Sequence, residues 1–182
     1  MYRHIKQQNP LCCGAACMQM IYEYFGISII NQSEIWKQIQ RPSIYSSMEC
    51  DPNKMQRHFH SHKFSCMYVL AFPNGDVKAF LADISRRKIP AIINYTVSMN
   101  EHHFVVLEKV QSNGIEVQNP FISLPNSFLP YDQLREPQIM LIDKSTGSIK
   151  CRHCGAIFPC NDFFQKLYGL PISRCAYCQE VI

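Results

Sequence analysis

The run from Cys13 to Phe25 sets Cys13, Cys17, Met20, Ile21, Tyr24 and Phe25 at steps of three and four residues, and Gly26 follows where a helix would stop. That period predicts a helix. Its polar face is thin, essentially Gln19 and Glu23, so other elements must cover most of its circumference. A second helix is predicted through Trp36 to Ile39, capped by Asn31 or Ser33 and closed by Pro42, and a third from Pro52 to about His60. "KFSCMYVL" at 63–70 reads as a strand, and "VKAFLADISRR" at 77–87 as an amphipathic helix with Val77, Phe80, Leu81 and Ile84 on one side. From Ile89 onward the period changes. "IPAIINYTV", "HFVVLEKV", "GIEVQNP" and "QIMLID" are rich in β-branched residues and separated by turn signals, Asn113-Gly114 among them, which predicts a mostly antiparallel sheet. Helices followed by strands make an α+β plan. The polar, turn-rich segment 143–150 marks the one boundary, dividing residues 1–146 from a small module at 147–182.

Composition agrees with a folded chain. With 182 residues, 47% of them hydrophobic and 18% charged, the protein can bury a core of ordinary size plus an appendage. The formal charge of +4 comes from scattered Lys and Arg, and no basic run points to a nucleic-acid or membrane partner. The polar start "MYRHIKQQNP" lacks the apolar stretch of an export signal, and no segment reaches the roughly 18 unbroken apolar residues of a membrane span. A soluble, cytoplasmic protein is the expectation, with delivery into another cell by a specialised secretion system still compatible. The 10 cysteines then belong to a reducing compartment, and five of them crowd the last 32 residues.

The first helix begins at two adjacent cysteines. A thiolate is the nucleophilic form of cysteine, and unpaired N–H groups at a helix N-terminus favour it. Cys12 and Cys13 both sit there, but Cys13 precedes Gly14, which would let a substrate backbone come close, and follows Gln7 by six residues. Acyl transfer needs donors for the developing oxyanion, and a Gln amide with the nucleophile's own N–H can supply two. Cys17, one turn on, reads as packing, and Cys12 as a minor candidate. His58, His60 and His62 have no cysteine or carboxylate at ligand spacing, so they carry no metal site.

This stretch resembles the bacteriocin-processing, double-glycine leader peptidases of the papain-like superfamily. Their pattern of Gln, five residues, Cys-Gly and a small-residue helix ending in an aromatic and Gly is matched by Gln7, Cys13-Gly14, Ala15-Ala16, Met20, Tyr24 and Gly26. The resemblance continues through "RKIPAIINYT", "HFVVLEKV" and "IEVQNP" and covers residues 7 to about 142. It implies a papain-like fold, with Cys13 as nucleophile, His103 as base, Asn119 as the group that orients the imidazole, and Gln7 at the oxyanion. That family usually has Asp before this Pro, whereas papain-type enzymes use Asn; the change keeps the hydrogen bond and removes a charge. The transporter segments to which many members are joined do not appear in this sequence, so the expectation is a stand-alone protease or effector that cuts some other protein.

Pairing strands strictly about an Asn113-Gly114 turn sets Asn119 opposite Glu108, five positions from His103, or roughly 16 Å at about 3.3 Å per residue. Contact then requires a bulge that shifts the register, a bend at Pro120, or another orienting side chain such as Asn94. Adjacent strand positions face opposite ways, so only one of His102 and His103 can enter the cleft.

Near the C-terminus, Cys151-x2-Cys154 and Cys175-x2-Cys178 are separated by 20 residues, the spacing of two knuckles that close one tetrahedral zinc site. Lys150, Arg152 and Arg174 lie beside these ligands and offset thiolate charge. His153 and Cys160 lack paired spacing and are left out. Four protein ligands make the zinc structural. Phe163, Phe164 and Tyr168 are predicted either to grip a substrate protein or to pack on the peptidase part.

The expectation is thus a papain-like cysteine protease with a zinc ribbon, acting on a protein or peptide through an acyl-enzyme. The same residues also suit an amidase, deamidase or transferase. A rival of another class is an inactive adaptor that binds protein or nucleic acid. Substrate choice would rest on loops such as 71–76 and 121–131.

Overall fold

The computed structural model describes residues 1–27, 31–43, 48–70, 76–98, 101–121, 127–167, 175–178 and 180. In chain order, helices α1 (Cys13–Tyr24) and α2 (Gln32–Ile39) precede a two-residue pair, β1 (Gln40–Arg41) with β2 (Glu49–Cys50), which leads into α3 (Pro52–Ser61). Strand β3 (Phe64–Val69) and helix α4 (Val77–Arg86) follow. The chain then forms β4 (Ala91–Ser98), β5 (Glu101–Val110), β6 (Gly114–Gln118), β7 (Ser127–Pro130) and β8 (Arg135–Lys144). A hairpin of β9 (Gly147–Lys150) and β10 (Ile157–Cys160) and the short α5 (Asp162–Leu167) complete the described elements.

Side-chain caps set the helix starts. Asn31 accepts from the Glu34 N–H, Asp76 from Ala79, and Asp51 from Asn53 and Lys54 with Pro52 in the first helical position. Of the two predicted caps for α2, Asn31 is the one used. Helix α1 differs, because its first residue is preceded by Cys12, whose side chain caps nothing.

Six strands form one antiparallel sheet in the order β3-β8-β4-β5-β6-β7. Strand β8 returns to lie between β3 and β4. Side chains alternate across the sheet: Phe64, Cys66, Tyr68, Ile92, Phe104 and Val106 meet α1, α2 and α3, whereas Met67, Val69, Ile93, Val105 and Leu107 meet α4. Both faces are covered, so all six positions of β3 are buried. The α+β architecture with an antiparallel sheet is as expected; β7, β9, β10 and α5 were not foreseen. Among the described residues no helix is long and apolar enough to cross a membrane.

The C-terminal segment shares this core. Cys160, Phe164 and Leu167 bury beside α4, Asn161 donates to Asp143 over 2.8 Å, and the Arg87 guanidinium lies 4.7 Å above the Phe163 ring. Phe163 and Phe164 therefore pack on the sheet and α4 rather than face outward; Tyr168 lies outside the described residues. On the opposite side His60 of α3 stacks on Phe158 at 5.0 Å and on Tyr177 at 6.1 Å.

The β5–β6 hairpin departs from the predicted register. Gln111 N–H donates to Gly114 C=O over 2.9 Å, so the two-residue loop is Ser112-Asn113 and Gly114 already belongs to β6. Pairing starts at Val110 with Ile115 and Lys109 with Glu116, and resumes at Leu107 with Val117 and Val106 with Gln118. Glu108 is the extra residue of a bulge. Gly114 is demanded by β7: a Cβ there would stand 2.5 Å from Leu129 O and 2.9 Å from Pro130 Cα, both backbone atoms that cannot turn aside. Gly114→Ala is therefore expected to lower stability by about 1–3 kcal/mol, read as a lower urea midpoint. An unchanged midpoint would contradict this packing.

Candidate active site

The hairpin shift decides what reaches His103. Continuing the observed register one residue past β6 sets Asn119 level with Val105, two positions from His103 and on its face, where strict pairing had put it five away. Asn119 Oδ1 lies 2.8 Å from His103 Nε2 and also accepts from the Phe121 N–H over 3.0 Å. An oxygen that already accepts from a backbone N–H is an acceptor for the imidazole too, so Nε2–H donates and Nδ1 is the nitrogen left for a second partner. The loop at 112–113 supplies two of the three positions by which Asn119 shifts, and the bulge supplies the third and the face; Asn94 instead donates to Tyr68 and Gln138. The rings of Tyr95 and Phe121 stand edge-on to His103 at 6.1 and 6.3 Å.

Cys13 opens α1 and lines the same groove as His103, close enough that each shifts the other's pKa. The Phe104 N–H and the Cys50 thiol act on the same sulfur, and both lower its pKa. The Cys50 contact, then the imidazole's hydrogen bond and charge, outweigh burial and hold the Cys13 thiol well below the ordinary thiol range. His103 moves the other way: burial alone would depress it, but Cys13, Asn119 and the charge of Glu101 leave it raised above its ordinary value. Within the Cys13–Cys50 pair the negative charge belongs on Cys13, because only Cys13 adjoins an imidazolium. Cys50 is correspondingly raised, chiefly by that contact and by burial.

The neighbouring cysteines are set apart. Cys12 turns away toward Gln32 Oε1 at 3.0 Å and Asn9 O at 3.3 Å, and burial raises its pKa. Cys17 and Cys66 are fully buried and raised by that burial. His102 is exposed at the rim of the groove, while His103 is half-buried and held by Asn119.

Gln7 lies in the segment just before α1. Its backbone N–H donates to Pro120 O over 2.9 Å, which ties the N-terminal segment to the turn after Asn119. The side-chain amide donates to Asn9 O over 2.9 Å, while Oε1 is buried with no partner among the described residues. Gly14 differs from expectation: a Cβ there would lie 2.8 Å from Cys50 Sγ and 3.1 Å from its Cβ, so the glycine makes room for Cys50 rather than for a substrate backbone. Cys50 went unrecognised in the sequence, where nothing distinguishes it from a buried cysteine.

An open groove of about 1030 Å³ runs past this cluster. Leu11, Met48 and Cys50 border it on the helical side, and Tyr95, Val97 and Phe121 on the sheet side. Arg41 and Glu49, paired at 2.7 Å, give it a polar end. Of the loops expected to shape it, residues 71–75 and 122–126 lie outside the described residues.

The sequence pattern of the Peptidase C39 family matches residues 1–137. The chain belongs to the peptidase C39 family. A solved structure similar to it is the peptidase domain of Streptococcus ComA, described as a bi-functional ABC transporter involved in a quorum sensing pathway. The TM-score is 0.63 at 13% identity, over 79% of this chain and 99% of that one. A putative C39-like peptidase from Bacillus anthracis is similar at a TM-score of 0.58 and 12% identity, over 79% of this chain and 96% of the other. No curated protein sequence matches the chain. As a C39 member it is a papain-like cysteine peptidase, and its substrate is a protein or peptide.

Outside the C39 match, Cys151, Cys154, Cys175 and Cys178 gather with all four sulfurs within 4.8 Å of one another, a cluster that could hold a metal ion. Cys151 and Cys178 are 3.8 Å apart, and Cys154 and Cys175 3.9 Å. A tetrahedron of Zn–S bonds of about 2.3 Å has edges of about 3.8 Å, so these separations fit. The turn after Cys151 is closed by Gly155, at φ +74°, donating to Cys151 O over 3.0 Å. Cys160 lies apart, donating to Asn161 O. Arg174 lies outside the described residues.

The thiol directions make a labelling prediction. Iodoacetamide at mildly acidic pH should modify Cys13 well before Cys12, Cys17 or Cys66, because Cys13 alone is lowered toward the thiolate while the other three are raised. Peptide mass mapping reads the order, and equal slow labelling of all four would contradict it.

Proposed function

We propose that this cysteine peptidase is an endopeptidase working through Cys13, His103 and Asn119. The observation that carries the reading is a single chain of contacts: Asn119 Oδ1 holds His103 Nε2–H, and the other ring edge meets the Cys13 thiol at the start of α1. The Cys13 sulfur attacks the scissile carbonyl carbon, and the imidazolium gives its proton to the leaving amine. Neutral His103 then takes a proton from water as that water attacks the thioester, and the acyl group leaves as a carboxylate. Asn119 keeps the imidazole in one tautomer and one orientation. For the oxyanion we assign the Cys13 N–H at the helix N-terminus and the second amide proton of Gln7, the first being committed to Asn9. The groove suits an extended segment of a substrate protein, with apolar contacts from Leu11, Val97 and Phe121.

We also assign Zn2+ to the four-cysteine cluster of the segment from Gly147 onward. Four thiolates complete a tetrahedron, so the ion would be structural and hold the two knuckles together. Lys150 and Arg152 adjoin the ligands in sequence and offset the net negative charge. Active thiols and zinc thiolates both belong in a reducing compartment, which supports a cytoplasmic site of action.

Proteins of a cell lysate treated with wild type are expected to show new N-termini that are missing after treatment with Cys13→Ala. Asn119→Ala should slow their appearance by about tenfold or more with the fold intact. Identical termini from wild type and Cys13→Ala would remove the endopeptidase reading. Elemental analysis of the purified protein should find about one zinc per chain, reduced to background in a Cys151→Ser/Cys175→Ser double variant. Zinc unchanged in that variant would remove the assignment.

A further inference from the structure

We propose that Cys13 and Cys50 form a reversible disulfide when the protein meets a hydroperoxide, making the groove an oxidation site as well as a peptidase site. The inference rests on Cys13 being the reactive nucleophile. It adds a second reaction of the same sulfur, one that peptide cleavage does not require.

The two cysteines come from different elements. Cys50 ends β2, one residue before the Asp51 cap of α3, and its side chain lies across the first turn of α1. The space it fills is the one left by the missing side chain of Gly14, 2.8 Å from Sγ and 3.1 Å from Cβ. Cys13 is the next residue back along that turn, both cysteines line the same groove, and each shifts the other's pKa. The N–H groups of Gly14 and Ala15 at the helix start favour charge on the Cys50 sulfur, and its thiol donates to Leu11 O at 3.5 Å. A serine hydroxyl would serve those helix N–H groups at least as well. What a thiol adds is redox chemistry. Both sulfurs border the open groove, so a small oxidant reaches them, whereas Cys12, Cys17 and Cys66 do not line it.

The steps balance. The Cys13 thiolate attacks one oxygen of the hydroperoxide; an S–O bond forms, the O–O bond breaks, and the departing oxygen takes the His103 proton and leaves as an alcohol or water. Cys13 is now a sulfenic acid. The Cys50 sulfur attacks the Cys13 sulfur; an S–S bond forms, the S–O bond breaks, and the hydroxyl leaves as water with the Cys50 proton. Two thiols have supplied the two electrons that reduced one peroxide. An external thiol reverses the bond by exchange. Without Cys50, the sulfenic acid remains open to a second peroxide and to the irreversible sulfinic acid.

The test uses the full chain, reduced, exposed to hydrogen peroxide, quenched with iodoacetamide and mapped by peptide mass spectrometry. Wild type should lose the mass of two hydrogens and yield a Cys13–Cys50 cross-linked peptide. After a dithiol reductant, its alkylatable Cys13 should return to within about twofold of the untreated level. In Cys50→Ser, or Cys50→Ala should the first not fold, Cys13 should gain two oxygens, and reductant should recover about tenfold less alkylatable thiol. Wild type that accumulates sulfinic acid at Cys13 with no link to Cys50 overturns the proposal and leaves Cys13 as nucleophile. A Cys13 untouched by peroxide while other thiols oxidise overturns both. Lysate cleavage by the reduced protein, lost in Cys13→Ala, decides the nucleophile separately.

Discussion

A buried sulfur can carry charge only where its neighbours return what water gave up. Cys13 is 7% exposed, and burial by itself would push its thiol upward, as it does for Cys17 and Cys66. Three things reverse that direction: an imidazole, a backbone N–H from Phe104, and a second thiol. None of them is local to α1. The sheet must therefore deliver His103 and Phe104 to the helix start, and β2 must deliver Cys50, before the sulfur can differ from its two buried counterparts.

The bulge at Glu108 makes the delivery possible. Added to the two-position shift of the 112–113 loop, its one further position brings Asn119 onto the face of His103 and within hydrogen-bond reach of it. The side chain of the same Glu108 accepts from the Gln118 amide over 3.2 Å and from the Tyr2 N–H over 3.3 Å. One carboxylate thus pins the end of β6 and the N-terminal segment together, and the Gln7–Pro120 backbone bond repeats the tie a few residues further on. The first helix is held against the hairpin at two points on the approach to Cys13, so the thiol and the imidazole inherit the rigidity of the sheet.

Much of this was legible in the chain. The period of residues 13–25 gave α1, the β-branched runs gave four strands of the sheet, and the paired C-x-x-C spacing foretold four sulfurs gathered at tetrahedral separations. Register was not legible, because Asn113-Gly114 is a strong turn signal and nothing in the letters tells a two-residue loop at 112–113 from one at 113–114. The close approach of β7 chooses between them by requiring glycine at 114. Cys50 was hidden for a related reason: its role depends on a contact with Gly14 across 36 positions, which no local period records. The hydrogen bond from the Gln7 amide to Asn9 O was likewise not legible, since spacing alone says nothing of where a side chain is anchored.

The account stands on the thiol and the imidazole holding each other in charged form. NMR titration of the His103 ring compares this directly with a chain in which the sulfur is gone. In wild type the ring should titrate above the ordinary 6.5, and in Cys13→Ala it should fall, because burial continues to disfavour the imidazolium after its partner is removed. An identical titration in the two proteins would contradict the pairing.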